Sequence, residues 1–232
     1  MNCNECVYSN TCKQPNKNKP ACIMYSRYNK AVNMACIQKR YKSITPDNIP
    51  IKDSNPEAYR KIIKYCNNIL HYVEDGYSLY LYFNGTGTGK TTCAYAVLNK
   101  FIQEYVWKIT KEGLSMDILP AYFIRCCDFQ NKFSIQYKDS DVMAEYQSCK
   151  ELMKNCKLLV IDDVAIRNCS DAFKSELYEV IDYRVGECLA TIYTSNVGRT
   201  ELADTLGERI QSRIYECCIP VEIKGTDHRI RR

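Results

Sequence analysis

Two short stretches carry the residue types needed for phosphate chemistry. The first is Asn84-Gly85-Thr86-Gly87-Thr88-Gly89-Lys90-Thr91-Thr92, directly after the apolar run Leu79-Tyr80-Leu81-Tyr82-Phe83. A glycine loop between a strand and a helix lets the backbone N–H groups of 85–90 wrap a β-phosphate, and the helix N-terminus adds its positive dipole end. Lys90 would bridge the β- and γ-phosphates, and Thr91 would ligate Mg²⁺ through its hydroxyl. Asn84 stands at the first glycine position of the phosphate-loop pattern, and Asn tolerates a left-handed backbone better than other side chains. The second stretch is Asp162-Asp163, at the end of Leu158-Leu159-Val160-Ile161. The first carboxylate would reach the Mg²⁺ shell and the second would polarise an attacking water. Together the two stretches predict a site for ATP and Mg²⁺.

Two further groups of polar residues have alternative readings. Ser195-Asn196 follows the run Leu189–Thr194; either its amide holds the water near the γ-phosphate or the pair caps the next helix. Near the start, Cys3-x2-Cys6-x5-Cys12-x9-Cys22 could grip one Zn²⁺ in a tetrahedral thiolate site, a Cys-x2-Cys turn supplying two ligands. So small a segment, rich in Asn, Lys and Pro, would need metal to fold. The alternative is unliganded thiols.

The elements that must position these groups follow from periodicity and punctuation. A short helix is predicted near Tyr25–Lys39, then an extended linker through Pro46 and Pro50. Ser54 or Asn55 caps a helix that opens at Pro56 and runs to about Asp75, with Tyr59, Ile62, Ile63, Cys66, Ile69, Leu70 and Val73 on one face. Strands are expected at 78–83, 121–125, 158–161, 189–194 and 219–223. Helices are expected at 90–105, 128–138, 140–155, 171–183 and 201–215, with 107–119 a loop or ragged helix end. Strands that alternate with helices, mostly without polar/apolar alternation, predict a parallel sheet covered on both faces. The domain plan is a Cys-rich segment 1–40, a linker 41–55 and an α/β domain 56–232.

Composition bounds the setting. The 232 residues are 46% hydrophobic, enough for one sizeable core. No run of about 18 apolar residues is present, so no transmembrane helix and no membrane partner are expected. The start, Met1-Asn2-Cys3-Asn4-Glu5-Cys6, lacks the pattern of a secretory signal. Fifteen cysteines, an odd number, fit a reducing compartment better than a disulfide framework, and a cytoplasmic location is expected. Residues 1–55 carry a net +6 and the remainder −1, so the front segment would meet nucleic acid or an acidic surface, or simply be solvated.

The order of motifs is itself informative. Phosphate loop, Leu-Leu-Val-Ile-Asp-Asp, Thr191-Ile192-Tyr193-Thr194-Ser195-Asn196, then Leu206-Gly207-Glu208-Arg209-Ile210-Gln211-Ser212-Arg213-Ile214 resembles the AAA+ ATPases of the replicative helicase loader type, the DnaC/DnaI and IstB-like group. The resemblance covers about 56–232. It implies a five-stranded parallel sheet of the ASCE type with the helical lid absent or vestigial. By resemblance, Lys90 and Thr91 belong to Walker A, Asp162 and Asp163 to Walker B, and Asn196 to sensor 1. Arg213 or Arg209 would be an arginine finger for the neighbouring subunit, since its fixed fork matches phosphate oxygens. Arg229 would supply sensor 2, or the tail from His228 would contact DNA phosphates. Asp182-Tyr183-Arg184 also looks like a family feature, with a surface ion pair the plainer reading of Arg184. Single-stranded DNA would be bound by 126–138, where Phe129, Lys132, Phe133 and Tyr137 mix rings and a cation, unless these aromatics are a buried helix face. Ala165 departs from the family's usual glycine.

What the resemblance implies is an oligomeric ATPase, stimulated by self-assembly or DNA, that loads a DnaB-type hexameric helicase onto single-stranded DNA and grips it through the zinc segment. Three alternatives share the phosphate loop: an IstB-type transposition helper, a small-molecule kinase and a non-hydrolysing nucleotide-gated adaptor. The Cys cluster weighs against the first. Asn196 and the two arginines have no evident task in the second, and turnover separates the third.

Overall fold

Five apolar runs become five strands among the described residues: β1 (Ser78–Tyr82), β2 (Ala121–Arg125), β3 (Leu158–Asp162), β4 (Thr191–Ser195) and β5 (Cys218–Glu222). The computed structural model describes residues 6–9, 22–85, 87–116, 119–165 and 169–225. All strand pairs are parallel, in the order β2-β3-β4-β1-β5. Successive side chains leave opposite faces of a strand. Leu79, Leu81, Phe123, Leu158, Val160 and Ile192 therefore enter one core, and Tyr80, Tyr122, Ile124, Leu159, Ile161 and Tyr193 enter another. With both faces covered, the strands read as apolar runs rather than alternating ones.

The first face is covered by α1 (Ile23–Met34), α2 (Pro56–Asn67), α3 (Ile69–Glu74) and α4 (Lys90–Lys111). The second is covered by α5 (Cys126–Ile135), α6 (Ser140–Asn155), α7 (Asp171–Gly186), α8 (Arg199–Leu206) and α9 (Glu208–Cys217). Starts are set by side-chain caps. Asn55 accepts from Ala58 N–H at 3.2 Å with Pro56 in the first turn, Asp139 accepts from Val142 N–H at 2.9 Å, and Ser170 accepts from Phe173 N–H at 3.2 Å. Each such cap contributes about 1 kcal/mol.

Several elements differ from the sequence expectation. The single helix expected over 56–75 breaks at Asn68, whose φ of −119° leaves the helical range. The helix expected over 201–215 breaks at Gly207, where φ is +93° and a side chain would be strained, giving α8 and α9. Beyond 105, α4 continues to Lys111 because Val106 and Ile109 are buried and Trp107 stacks on Tyr8 with ring centroids 5.7 Å apart.

The segment 41–55, expected to be an extended linker, is folded onto α4. It holds a 3-10 turn at Pro46–Asn48 and buries Ile49 and Ile51, and Asn99 of α4 donates to the carbonyls of Tyr41 and Ile44 at 2.8 Å each. Helix α1 shares this core through Ala31 and Val32, and Phe123 N–H of the edge strand donates to Ala35 at 3.1 Å. Cysteines serve here largely as small apolar side chains: Cys66, Cys93, Cys126, Cys149 and Cys156 are buried free thiols. Among the described residues no helix is long and apolar enough to cross a membrane.

Candidate functional site

The sheet order brings the two phosphate-chemistry stretches together. β4 lies between β1, which runs into the glycine loop, and β3, which ends on Asp162. The polar residues at the end of β4 therefore sit between loop and carboxylates.

The loop takes positive φ at Gly87 (+70°) and Gly89 (+97°). At Gly89 a Cβ would also lie 3.1 Å from Pro50 Cγ and 3.4 Å from Ile51 Cγ2, so the folded 41–55 segment presses against the loop from outside. Glycine is needed there for both reasons. Lys90 is buried at 8% exposure, and its Nζ donates to Gly85 O at 2.6 Å and Phe83 O at 3.3 Å. The ammonium is thus gathered into the loop's own carbonyls. Thr88 is buried, 3.5 Å from the same nitrogen. Gly85, Gly87 and Thr92 flank it as expected; Thr86 lies outside the described residues.

Behind the loop runs a connected polar chain. Thr91 donates its hydroxyl to Asp162 Oδ1 at 2.9 Å, and Thr194 donates to the same oxygen at 2.7 Å. Thr194 Oγ1 also accepts from Asp163 N–H at 2.8 Å, and Asn196 Nδ2 donates to Asp163 Oδ1 at 2.9 Å. Asp163 has φ +57°, a left-handed conformation that Asp tolerates but does not prefer. Burial pushes the Asp162 carboxyl above the usual carboxylate range, opposed by the two threonine hydroxyls and by the charges of Arg125 and Lys90. Asp163 is raised as well, by burial first and then by the negative charge of Asp162.

These groups fit Mg²⁺ and a triphosphate. Thr91 and Asp162 are hard oxygen donors already in contact, the kind Mg²⁺ takes. Lys90 is a cation that donates to the Gly85 and Phe83 carbonyls, contacts that phosphate oxygens would displace. Asn196 does not cap a helix: α8 begins after Gly198, whose N–H donates to Glu201 Oε2 at 3.0 Å. Of the two readings of Asn196, the structure has its amide on Asp163.

The sequence reading missed two members of the site. Thr194 sat inside a run read only as strand, although a hydroxyl at a strand's carboxyl end beside a sensor position is a usable signal. Arg125 is in register with Asp162 across β2 and β3, while its guanidinium holds both oxygens of Asp128 at 2.8 Å. Register is not visible in one sequence.

The remaining predicted residues are dispersed. Arg209 and Arg213 lie on α9; Arg209 covers the Tyr178 ring at 5.1 Å, and Arg213 pairs with Asp182 at 2.7 Å and Glu216 at 2.9 Å. Arg184 corrects the surface ion-pair reading. It is 1% exposed, and its guanidinium donates to Thr191 Oγ1, Met153 O and Cys156 O at 2.8 Å each, joining the end of α6 to the start of β4. In 126–138, Phe129 is buried and not available for stacking on a base, and the half-buried Phe133 packs against Tyr146 and Phe173; Tyr137 is 79% exposed. Cys6 and Cys22 are half-buried free thiols. Cys3, Cys12 and Arg229 lie outside the described residues, and among the described residues no group of three or more His, Cys, Asp or Glu is placed to hold a metal.

Phosphate loop, Walker B pair and intervening polar strand end on a parallel β2-β3-β4-β1-β5 sheet define an AAA+ type P-loop protein. Residues 27–232 match the family described as IstB-like ATP binding protein, and the chain belongs to that family. Among solved structures it is similar to the DnaC helicase loader, with 27% identity, 81% of this chain and 100% of that chain covered, and a TM-score of 0.62. It is also similar in fold to DnaI (20% identity, 83% and 94% covered, TM-score 0.61). AMPPCP-bound DnaA from Aquifex aeolicus shares the fold as well (21%, 78% and 49%, 0.57). No curated protein matches the sequence.

Proposed function

We propose that this protein is an ATPase that loads a replicative DnaB-type hexameric helicase onto single-stranded DNA. The observation that carries the reading is the connected polar set from Lys90 to Asn196, taken with a likeness that covers 100% of a solved DnaC helicase loader chain. Lys90 exchanges the Gly85 and Phe83 carbonyls for β- and γ-phosphate oxygens. Mg²⁺, held by Thr91 and Asp162, would supply neutralisation of charge on the transferring phosphoryl group. Asp163, made more basic by burial beside Asp162, accepts the proton of the attacking water. Asn196 holds one Asp163 oxygen and leaves the other for that water. An arginine of a neighbouring copy, Arg213 or Arg209, completes the site in a self-assembled oligomer, and Arg229 would act from the tail.

The protein works in the cytoplasm. Cys3, Cys6, Cys12 and Cys22 would hold one Zn²⁺, and the segment they fold would form the helicase grip. Single-stranded DNA meets the turn just after α5, where the Tyr137 ring is exposed beside Lys138, with Lys132 on the last turn of α5 paired to Glu145 at 3.5 Å.

Co-purification with the host's replicative helicase tests the reading, with full-length protein and with Cys3→Ser and Cys6→Ser variants. Association lost in the variants together with about one zinc per chain is the expected result. Absence of helicase binding under every nucleotide condition, or recovery of a transposase instead, would favour the IstB-type helper acting on duplex DNA. Removal of residues 1–55 is not a clean version of this test, because it would strip Ala31, Ile49 and Ile51 from the core.

A further inference from the structure

Arg213 is held from two sides by carboxylates of its own subunit. Its Nε lies 2.7 Å from Asp182 Oδ1 on α7, and its Nη1 lies 2.9 Å from Glu216 Oε2 one turn along α9. Asp182 is itself fixed, since Tyr178 donates its hydroxyl to the same Oδ1 at 3.1 Å. Tyr178 is in turn covered by Arg209, whose guanidinium sits over its ring. The backbone beneath is rigid: α7 and α9 pack through Leu177, Ile181, Ile210 and Ile214, and Arg184, two residues beyond Asp182, is locked into buried carbonyls.

A partly exposed ion pair of this kind adds little to stability, too little to explain a chain of four side chains converging on one arginine. What such a chain does is remove rotamer freedom from a long side chain. The guanidinium keeps its fork geometry, and with Nε and Nη1 engaged its orientation is set, while the side chain stays 41% exposed to an anion approaching from outside the subunit.

We propose that Asp182, braced by Tyr178, is a positioning residue that presents Arg213 to the triphosphate bound by a neighbouring copy of this chain. This rests on the shared-site reading above and selects Arg213 over Arg209 as the trans arginine; Arg209 braces Tyr178. Asp182 acts only through Arg213, in the subunit that donates the arginine, and has no role in the subunit that hydrolyses.

Mixed assemblies separate the two subunits. An acceptor carrying Arg213→Ala keeps a complete ATP site but lacks the arginine, while a donor carrying Asp163→Asn binds ATP without hydrolysing it and supplies Arg213. Hydrolysis is measured as donor is titrated into acceptor. Restored hydrolysis establishes the shared site; no restoration would overturn that reading and the proposal with it. With restoration in hand, Asp182→Asn on the donor should lower the plateau rate about ten- to a hundredfold, the scale of a misplaced transition-state group. The donor concentration at half-effect should stay unchanged. Asp182→Glu on the donor should recover part of the loss, and Asp182→Asn on the acceptor should have no effect. An equal loss on either side, an unchanged plateau, or a shift confined to the half-effect concentration would overturn the role of Asp182 while leaving the shared site standing.

Discussion

Replacing Thr194 by Val removes one hydroxyl and almost no volume, at the point where Asp162 and Asp163 are tied together. Thr194 is 2% exposed, so no water replaces the lost group. One bond lost is to the ionised Asp162 at 2.7 Å, a contact to a charged group worth about 1.5–3 kcal/mol. The other leaves the part-buried Asp163 N–H without its acceptor at 2.8 Å, which costs about 1 kcal/mol. Thr91 still donates to Asp162, which softens the first term, so a net loss of about 3 kcal/mol is expected. For a chain of this size that corresponds to a fall in Tm of about 6–12 °C. Function should suffer more than stability. The Asp163 N–H bond helps hold that residue at φ +57°, and a base displaced by about an ångström lowers turnover roughly a hundredfold. Thermal unfolding, equilibrium binding of a fluorescent nucleotide and single-turnover hydrolysis should be followed in parallel, with Thr194→Ser as the control that restores the hydroxyl. A Thr194→Val protein with Tm within a degree or two of wild type and normal turnover would refute the claim that this hydroxyl organises the site.

Two further predictions follow from buried charge. Arg184→Met should leave the carbonyls of Met153 and Cys156 without their Arg184 donor, at about 1–3 kcal/mol for each buried acceptor left unpaired, and should show as a collapse in soluble yield or Tm with no selective loss of nucleotide affinity. Because the folded state raises the Asp162 carboxyl above its unfolded value, its contribution to stability is present below the unfolded pKa and is lost as pH rises through the folded one. Asp162→Asn should therefore be more stable than wild type at pH 8 without metal, with the difference shrinking toward pH 4. Equal stability curves for the two proteins across that range would reject burial as the dominant influence on Asp162.

Much of the site was legible because it is local. A strand, a glycine turn and a helix N-terminus are contiguous, so the spacing of Gly85, Gly87, Gly89, Lys90 and Thr91 states its geometry without reference to the rest of the chain. The apolar run before Asp162-Asp163 and the cap candidate Asn55 speak in the same way, through effects that act within one helical turn or one strand length. Helix breaks at Asn68 and Gly207 were less legible because amphipathic periodicity continues across them on both sides.

Local signals by themselves determined the strand–loop–helix cradle, the parallel α/β class and the carboxylate pair, since each depends on neighbours in sequence. Only the tertiary structure decided what those groups touch. It set β4 between β1 and β3, so that Thr194 bridges Asp162 and Asp163. It folded 41–55 against Gly89, drew Arg184 from an assumed surface into buried carbonyls, turned Phe129 and Phe133 inward, and gave Arg213 its partner on α7. The physical reason is that hydrogen-bond and packing partners far apart in sequence are chosen by strand order and register, and neither leaves a periodic mark on the chain.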